Sequence, residues 1–376
     1  LYKGDKAKWI KLANSLKFRL MMHSYNAFKA AGTDLSSKLQ EIAASGNYLS
    51  AVTDDAALTF PAASNDDSWY LNTTYNTLNS YTSFKPTKIL IDKLVALDDP
   101  RLYVIFAPAL SPLSAQTTKS DEAVKINGYS YTITHDPASK YTFSAETSYD
   151  ESGNQISVDY PLDVKWFGTP RTANINNLYA SSSAVAGTNS SYDNRRLSGL
   201  SQLFTLKNDP RLKATLMESS EMAFLLAEAR QKGLISAGTV QGYYEAGIKL
   251  SFGRWQITDG TKPASYLNSD KIVLSFSDYL AQTSVKLDGT SADLDKIYLQ
   301  KWFANLLTNH TEEFTEIRRT GKPSFAKILP TKFSVNAYPY RYLYPFDEQN
   351  NNKTNYDAAV SVLGGDLNSS KMWILK

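Results

Sequence analysis

Apolar residues recur at helical spacing along both flanks of this chain, and the hundred or so residues between the flanks show no such spacing. That division limits the fold more than any other feature of the sequence. Trp9, Leu12, Ala13, Leu16 and Leu20 form one stripe and predict a helix over 7–30. A shorter helix follows at 34–44, with Thr33 as candidate cap, Leu35, Leu39, Ile42 and Ala43 inward, and Gly46 as its stop. Pro86 suits the start of a third at 86–97, which buries Ile89, Leu90, Leu94 and Leu97 and ends at Asp99-Pro100-Arg101. Helices return after Pro210. One spans 213–231, with Leu216, Ala223, Leu226 and Ala227 in register. Gly233 breaks it, and a second runs from about Thr239 to 252 with Tyr243, Ala246, Gly247 and Leu250 on one face. A short helix at 277–286 precedes a strong one at 292–308, with Leu294, Ile297, Tyr298, Trp302 and Leu306 inward and Ser291 as candidate cap. A further turn covers 311–319. After 330 the sequence reads as Pro- and Tyr-rich coil.

Between about 103 and 205 the chain is rich in Ser, Thr, Asn, Gly and Tyr. Residues 129–134 and 141–143 alternate like strands, and 181–191 reads as a loop of small residues. The expected class is therefore mainly α, with tetratricopeptide-like helix pairs and an inserted loop-and-β region, although no clean repeat of about 34 residues can be extracted. One domain over 1–376 divides into a helical block at 1–102, a variable insertion at 103–205, a second helical block at 206–321 and a coil at 322–376.

Several function classes fall away on composition. The chain of 376 residues has no cysteine, so it has no disulfide framework, thiol nucleophile or Cys-ligated metal. Its three histidines, His23, His135 and His310, argue against a multi-histidine metal centre. A net charge of +3 is too small for a nucleic-acid footprint over the whole chain. The charge is concentrated in residues 1–40, which reads either as a basic arm for phosphate or anionic lipid or, more plainly, as the solvated face of an amphipathic helix. No run of 18 apolar residues exists that could cross a membrane as a helix.

No GxSxG, HExxH or GxxxxGK[ST] motif is present. Glu312, Glu313 and Glu316 beside Arg318 and Arg319 read as ion pairing on one helix. Glu218, Glu221 and Glu228 read as helix-surface or helix-pair contacts. The acidic run Asp347-Glu348-Gln349-Asn350 could hold Ca²⁺, but a solvated loop is the plainer reading, and no cofactor is expected. What remains is aromatic placement. Trp69, Tyr70 and Tyr75 follow a run of Ser, Asn and Asp. Trp166 precedes Phe167-Gly168-Thr169-Pro170, and Tyr129 and Tyr131 lie in the β insertion. Flat rings beside short polar side chains suit a carbohydrate site, because a ring covers the C–H face of a sugar while the polar groups bond its hydroxyls. The competing reading is that a chain with 24 tyrosines uses these rings in its core.

Several segments, in order, resemble the SusD-like (SusD/RagB) family. Glu221-Met-Ala-Phe-Leu-Leu-Ala-Glu-Ala-Arg230 looks like that family's E-x-x-F-L-x-A-E-A helix and is followed by Tyr244-Glu-Ala-Gly-Ile-Lys-Leu-Ser251. Leu299-Gln-Lys-Trp302 and Glu313-Phe-Thr-Glu-Ile-Arg-Arg-Thr-Gly-Lys-Pro323 resemble its later run, with Phe314 where Trp is common. Lys8-Trp9-Ile-Lys-Leu-Ala-Asn-Ser-Leu16, Asp99-Pro-Arg-Leu102, Arg341-x-x-Tyr344-Pro345, Asn355-Tyr356 and Gly364-Gly365-Asp366 fit the same pattern. The match looks closest to the subgroup with the Arg-Arg-Thr-Gly ending.

The resemblance implies a non-enzymatic lipoprotein on the extracellular face of the outer membrane of Bacteroides-type Gram-negative cells. Such a protein caps a SusC-like TonB-dependent transporter and delivers a captured glycan to it or, in the RagB-like branch, a peptide. It also implies that Trp302, Arg318 and Arg319 are scaffold residues, and that a native N-terminal portion carrying a signal peptide and a lipidated Cys is missing here. It assigns no binding residue, so Trp69, Tyr70, Tyr75, Trp166, Tyr129 and Tyr131 rest on the aromatic argument alone.

Overall fold

The Asp5 carboxylate accepts hydrogen bonds from the Ala7 and Lys8 amides at 2.9 and 3.2 Å and so starts the first helix, α1 (Lys6–Ala30). The computed structural model describes residues 1–61, 85–140, 147–149, 155–157, 160–170, 195–206, 208–261, 266–324 and 339–375. Trp69, Tyr70, Tyr75, Tyr141–Phe143 and Ser181–Ser191 lie outside them.

The face that α1 buries is rotated from the expected stripe. Leu12, Ser15, Phe18, Met22 and Tyr25 face inward, whereas Trp9 is 47% and Leu20 64% exposed. Helix α2 (Ser36–Ser45) buries Leu39, Ile42 and Ala43, with Leu35 buried just ahead of it, and Gly46 ends it at φ 65°, all as its spacing predicts. Thr33 is not its cap; Asp34 accepts from the Ser36 amide instead. In α3 (Lys88–Ala96) Ile91, not Ile89, joins Leu90, Leu94 and Leu97 inside. A short helix that the sequence did not suggest, α4 (Arg101–Ile105), follows directly.

Small sheets tie the middle of the chain to these helices. Strand β1 (Ala56–Thr59) is short; β2 (Phe106–Ala107), β3 (Leu113–Ser114), β4 (Ser120–Ile126) and β5 (Tyr129–Pro137) follow. Strands β4 and β5 form an antiparallel hairpin in which Ile126 faces Tyr129 and Ser120 faces His135, and β3 joins β5 in parallel. The two-residue turn is Asn127-Gly128, at φ 50° and 83°, the left-handed pair that a tight hairpin needs. A second small hairpin is β6 (Thr147–Tyr149) with β7 (Gln155–Ser157), and β8 (Gly199–Leu200) pairs with β2.

Residues 213–217 are strand β9 (Lys213–Met217) rather than the first turns of a helix, and they pair antiparallel with β1. Leu216, expected inside, is 55% exposed on the outer side of that ribbon. Helix α5 (Ser219–Gln231) then buries almost its whole circumference. Gly233 (φ 69°) turns the chain, and the Thr239 hydroxyl caps α6 (Val240–Arg254) by accepting from the Gly242 amide. The buried face of α6 is Tyr244, Gly247, Ile248, Ser251 and Phe252, about one residue on from the expected one. A Cβ on Gly247 would lie 2.7 Å from the Phe224 ring, so glycine is what lets α5 and α6 close into a hairpin.

Strands β10 (Thr258–Asp259) and β11 (Val273–Leu274) precede α7 (Phe276–Ala281), α8 (Asp293–Ala304) and α9 (His310–Thr320). Ser291 does not cap α8; the Asp293 carboxylate instead takes the Asp288 and Gly289 amides. The tail is not coil throughout. It forms α10 (Phe346–Asn351) and α11 (Lys353–Leu363), which bury no residue fully. The fold is mainly α with small sheets. Its two large cores meet at α5, which gives Phe224 and Ala227 to one and Met222, Leu225, Leu226 and Ala229 to the other. Among the described residues no helix is long and apolar enough to cross a membrane.

Candidate binding surface and the charged scaffold beneath it

Three of the sequence-proposed residues come together at the hairpin. Tyr131 belongs to a small core with Ala107, Val124, Ile126 and Ile133, and Tyr129 and Trp166 pack at its edge. Tyr131 is 6% exposed, and its hydroxyl accepts the Gln202 amide at 3.1 Å. Tyr129 and Trp166 are half-buried. The Trp166 ring stands edge-on to Tyr103 at 5.4 Å, and Tyr103 tilts over Tyr266 at 4.6 Å. Half-buried Tyr103 extends this ring cluster and Tyr266, 3% exposed, lies in the core beside it; sequence reasoning missed both. Their signal was available only as tyrosines, because the two are 163 positions apart. Burial raises the phenol of Tyr129, partly offset by Arg211 nearby. Backbone contact holds the Trp166 segment in place. Thr169 donates to the Pro86 carbonyl and accepts from Lys88, each at 2.8 Å. A Cβ on Gly168 would lie 2.4 Å from the Thr87 carbonyl oxygen.

Charged groups join the helices of the scaffold. Arg319 on α9 donates to both oxygens of Glu228 on α5 at 2.7 Å, and to Glu316. Tyr298 on α8 donates to Glu228 at 3.0 Å. Lys301 lies 3.1 Å from Glu316, and Arg19 on α1 lies 3.1 Å from Glu221. The His23 Nε2 sits between Glu312 (2.9 Å) and Glu316 (2.8 Å). Burial disfavours the imidazolium, but the two carboxylates outweigh it and raise the His23 pKa. Burial would raise Glu228 as well, yet Arg319 and Lys232 hold it down at about 2. Glu221 is pushed up to about 7 by burial, with Arg19 only partly compensating. Burial alone pushes Glu313 to about 8. The sequence placed Glu312, Glu316 and Arg319 on one helix but could not supply their partners on α1, α5 and α8. Arg318 takes no part in this network: it donates to the Tyr340 carbonyl and lies over the Phe314 ring.

A second knot lies under α4. Arg101 and Asp99, both fully buried, pair at 2.6 Å, and Arg101 also reaches Ser251 and Gln300 while lying between the rings of Phe252 and Phe303.

His23, Glu312 and Glu316 are the one group among the described residues whose donor atoms lie close enough to share a metal ion. The donor set does not fit a cation. Lys301 and Arg319 already neutralise Glu316, and Arg19 lies 3.8 Å from Glu312, so a divalent ion would add unbalanced charge. The proposed Ca²⁺ run at 347–350 forms part of helix α10 rather than a loop. Beside the network a cavity of about 550 Å³ opens, walled by α1, α8, the end of α9 and the C-terminal residues Ile374 and Leu375.

These features define a helical scaffold with a partly exposed aromatic cluster, its carboxylates engaged in holding helices together. Residues 1–345 match the family described as SusD-like, starch-binding and associating with the outer membrane, and the chain belongs to that family of binding proteins, which are not enzymes. No curated protein matches the sequence. Solved structures share the fold. A SusD homologue from Bacteroides fragilis NCTC 9343 aligns with TM-score 0.68 at 19% identity, covering 98% of this chain and 68% of that one. A chitin-binding SusD homologue from Flavobacterium johnsoniae aligns with TM-score 0.60 at 19% identity, covering 100% and 65%. The chain thus spans about two thirds of the length of these structures.

Proposed function

We propose that this protein captures oligo- or polysaccharide at the outer face of the outer membrane, held there by a lipid anchor, and delivers it to a SusC-like TonB-dependent transporter. The observation that carries the reading is the family match along residues 1–345. The chitin-binding neighbour adds support for a glycan ligand. Trp166 and Tyr129 offer half-buried ring surface beside the hairpin with Tyr131 buried next to them, and the proposal also takes in Trp69, Tyr70 and Tyr75, which lie outside the described residues. Each stacked ring contributes about 1 kcal/mol, a roughly fivefold change in affinity.

The RagB-like alternative, peptide capture, draws on one observation: the 550 Å³ cavity mixes charged, polar and apolar side chains and belongs to none of the candidate rings. A binding screen by calorimetry against polysaccharides and peptide mixtures decides between them. Polysaccharide binding that weakens about fivefold in both Trp69→Ala and Trp166→Ala supports the glycan reading. Binding of peptides alone supports the alternative, unchanged polysaccharide affinity in both variants rejects the site, and binding of neither class rejects capture.

A further inference from the structure

We propose that the cavity beside His23 is a second binding site, one that takes a ligand carboxylate between Lys232 and Lys322. The inference goes beyond the reading above, because the cavity shares no residue with the aromatic surface.

Three observations carry it. First, the volume of about 550 Å³ lies within the ordinary range for small-ligand pockets. Second, the fixed charges in and behind its wall do not balance. Arg19, His23, Lys232, Lys301, Arg319 and Lys322 face Glu221, Glu228, Glu312, Glu316 and Asp295, which leaves one cation in excess while the imidazole is protonated and the Glu313 carboxyl, pushed up to about 8 by burial, is neutral. One entering carboxylate would close that deficit in a partly desolvated place, where charge pairing counts for more than it does in water. The upward shift of Glu221 to about 7 leaves that group only partly ionised at neutral pH and enlarges the excess.

Third, the two lysines have donors to spare. Arg319 is spent on Glu228 and Glu316 and is 9% exposed. Lys232 and Lys322 remain about one-third exposed. Each ammonium has three N–H donors, and Lys232 gives one to Glu228 at 2.6 Å while Lys322 gives one to Asp295 at 2.9 Å. Around them the wall is amphiphilic: Leu234 and Leu294 offer apolar contact, and Asn26 and Ser291 can bond hydroxyl or amide groups. That suits a carboxylate attached to a polar body, which could be a uronic-acid sugar or the C-terminus of a peptide.

Calorimetry on the full chain with four probes separates these sources: trigalacturonic acid, galactotriose, N-acetyl-trialanine and N-acetyl-trialanine amide. The expected result is that one acid binds at least about tenfold tighter than its uncharged counterpart, and that this preference shrinks in about 0.5 M salt. Preference within the sugar pair identifies a uronate ligand, and preference within the peptide pair identifies a peptide terminus. The Lys232→Gln/Lys322→Gln double variant should abolish the preference while Trp166→Ala leaves it intact. If removing Lys232 from Glu228 unfolds the protein, Lys322→Glu alone, which changes only the exposed pair with Asp295, should still reverse or erase it. Equal affinity for acid and uncharged probes, binding of none of the four, or a preference that survives these lysine changes overturns the proposal. Because galactotriose and the Trp166 variant report on the aromatic surface, failure at one site is distinguishable from failure at the other.

Discussion

The helical scaffold and the hairpin region solve the same problem, holding distant segments together, with opposite chemistry. At the α1–α5–α9 junction buried charges with named partners cross between the helices beside the apolar core that α1 and α5 share. At the β4–β5 hairpin the buried links are rings and aliphatic side chains, a single turn sets the register, and the ion pairs of Glu122 with Lys165 and His135 are more exposed. Charged links are unforgiving, because removing one partner strands the other in low dielectric. Ring contacts are graded and can be lost one at a time. A scaffold built the first way and a hairpin region built the second can vary at the hairpin without losing the fold.

The contrast can be broken most severely at Arg319. Arg319→Met leaves Glu228 and Glu316 short of their main partner and should cost about 3–5 kcal/mol in urea denaturation. A loss under 1 kcal/mol would show that the network is dispensable.

The pH dependence of the same junction is next in size. The folded pKa of Glu221 is raised to about 7 from 4.5, so its ionisation disfavours the folded state progressively as pH rises from 4.5 to 7, by roughly 3 kcal/mol at most. His23 acts in the same direction. Its folded pKa is raised, so its contribution is complete below the unfolded value of about 6.5 and is lost as pH rises through the folded one. Stability measured from pH 4.5 to 8 should therefore fall less steeply in Glu221→Gln and in His23→Gln than in the parent; identical slopes would remove these groups from the account.

Gly247→Ala tests packing without charge. The new methyl meets Phe224 at 2.7 Å, and a loss of about 1–3 kcal/mol is expected, visible as a lowered melting temperature. The smallest effect belongs to the hairpin. Gly128→Ala forces a side chain into φ 83° and should cost about 1–2 kcal/mol. It should speed amide exchange in β4 and β5 while leaving α5 and α8 protected; equal acceleration in both regions would erase the distinction drawn between them.

The sequence was informative wherever one segment decides its own conformation. The four inward residues and glycine stop of α2 and the start of α6 at about Thr239 are local matters, and they stand as read. Residues 213–217 failed because their apolar members also fit a helix, and only pairing with Ala56–Thr59, more than 150 positions away, makes them a strand. Helices α10 and α11 left no stripe to read, since they bury no residue fully. Asn127-Gly128 was a usable hairpin signal that was overlooked. The charged junction was half visible: its acidic residues stood out on α5 and α9, but no spacing rule could bring His23 and Arg19 to them.

The C-terminal turn of Trp373–Leu375 packs on α1, with Trp373 edge-on to Phe28 at 5.2 Å. These rings are 345 positions apart in the chain. At ordinary translation speeds of about 5–20 residues per second, roughly 20–70 s pass between their appearances at the ribosome. Throughout that interval the back of α1 waits without its cover, so this helix is finished long after it is made.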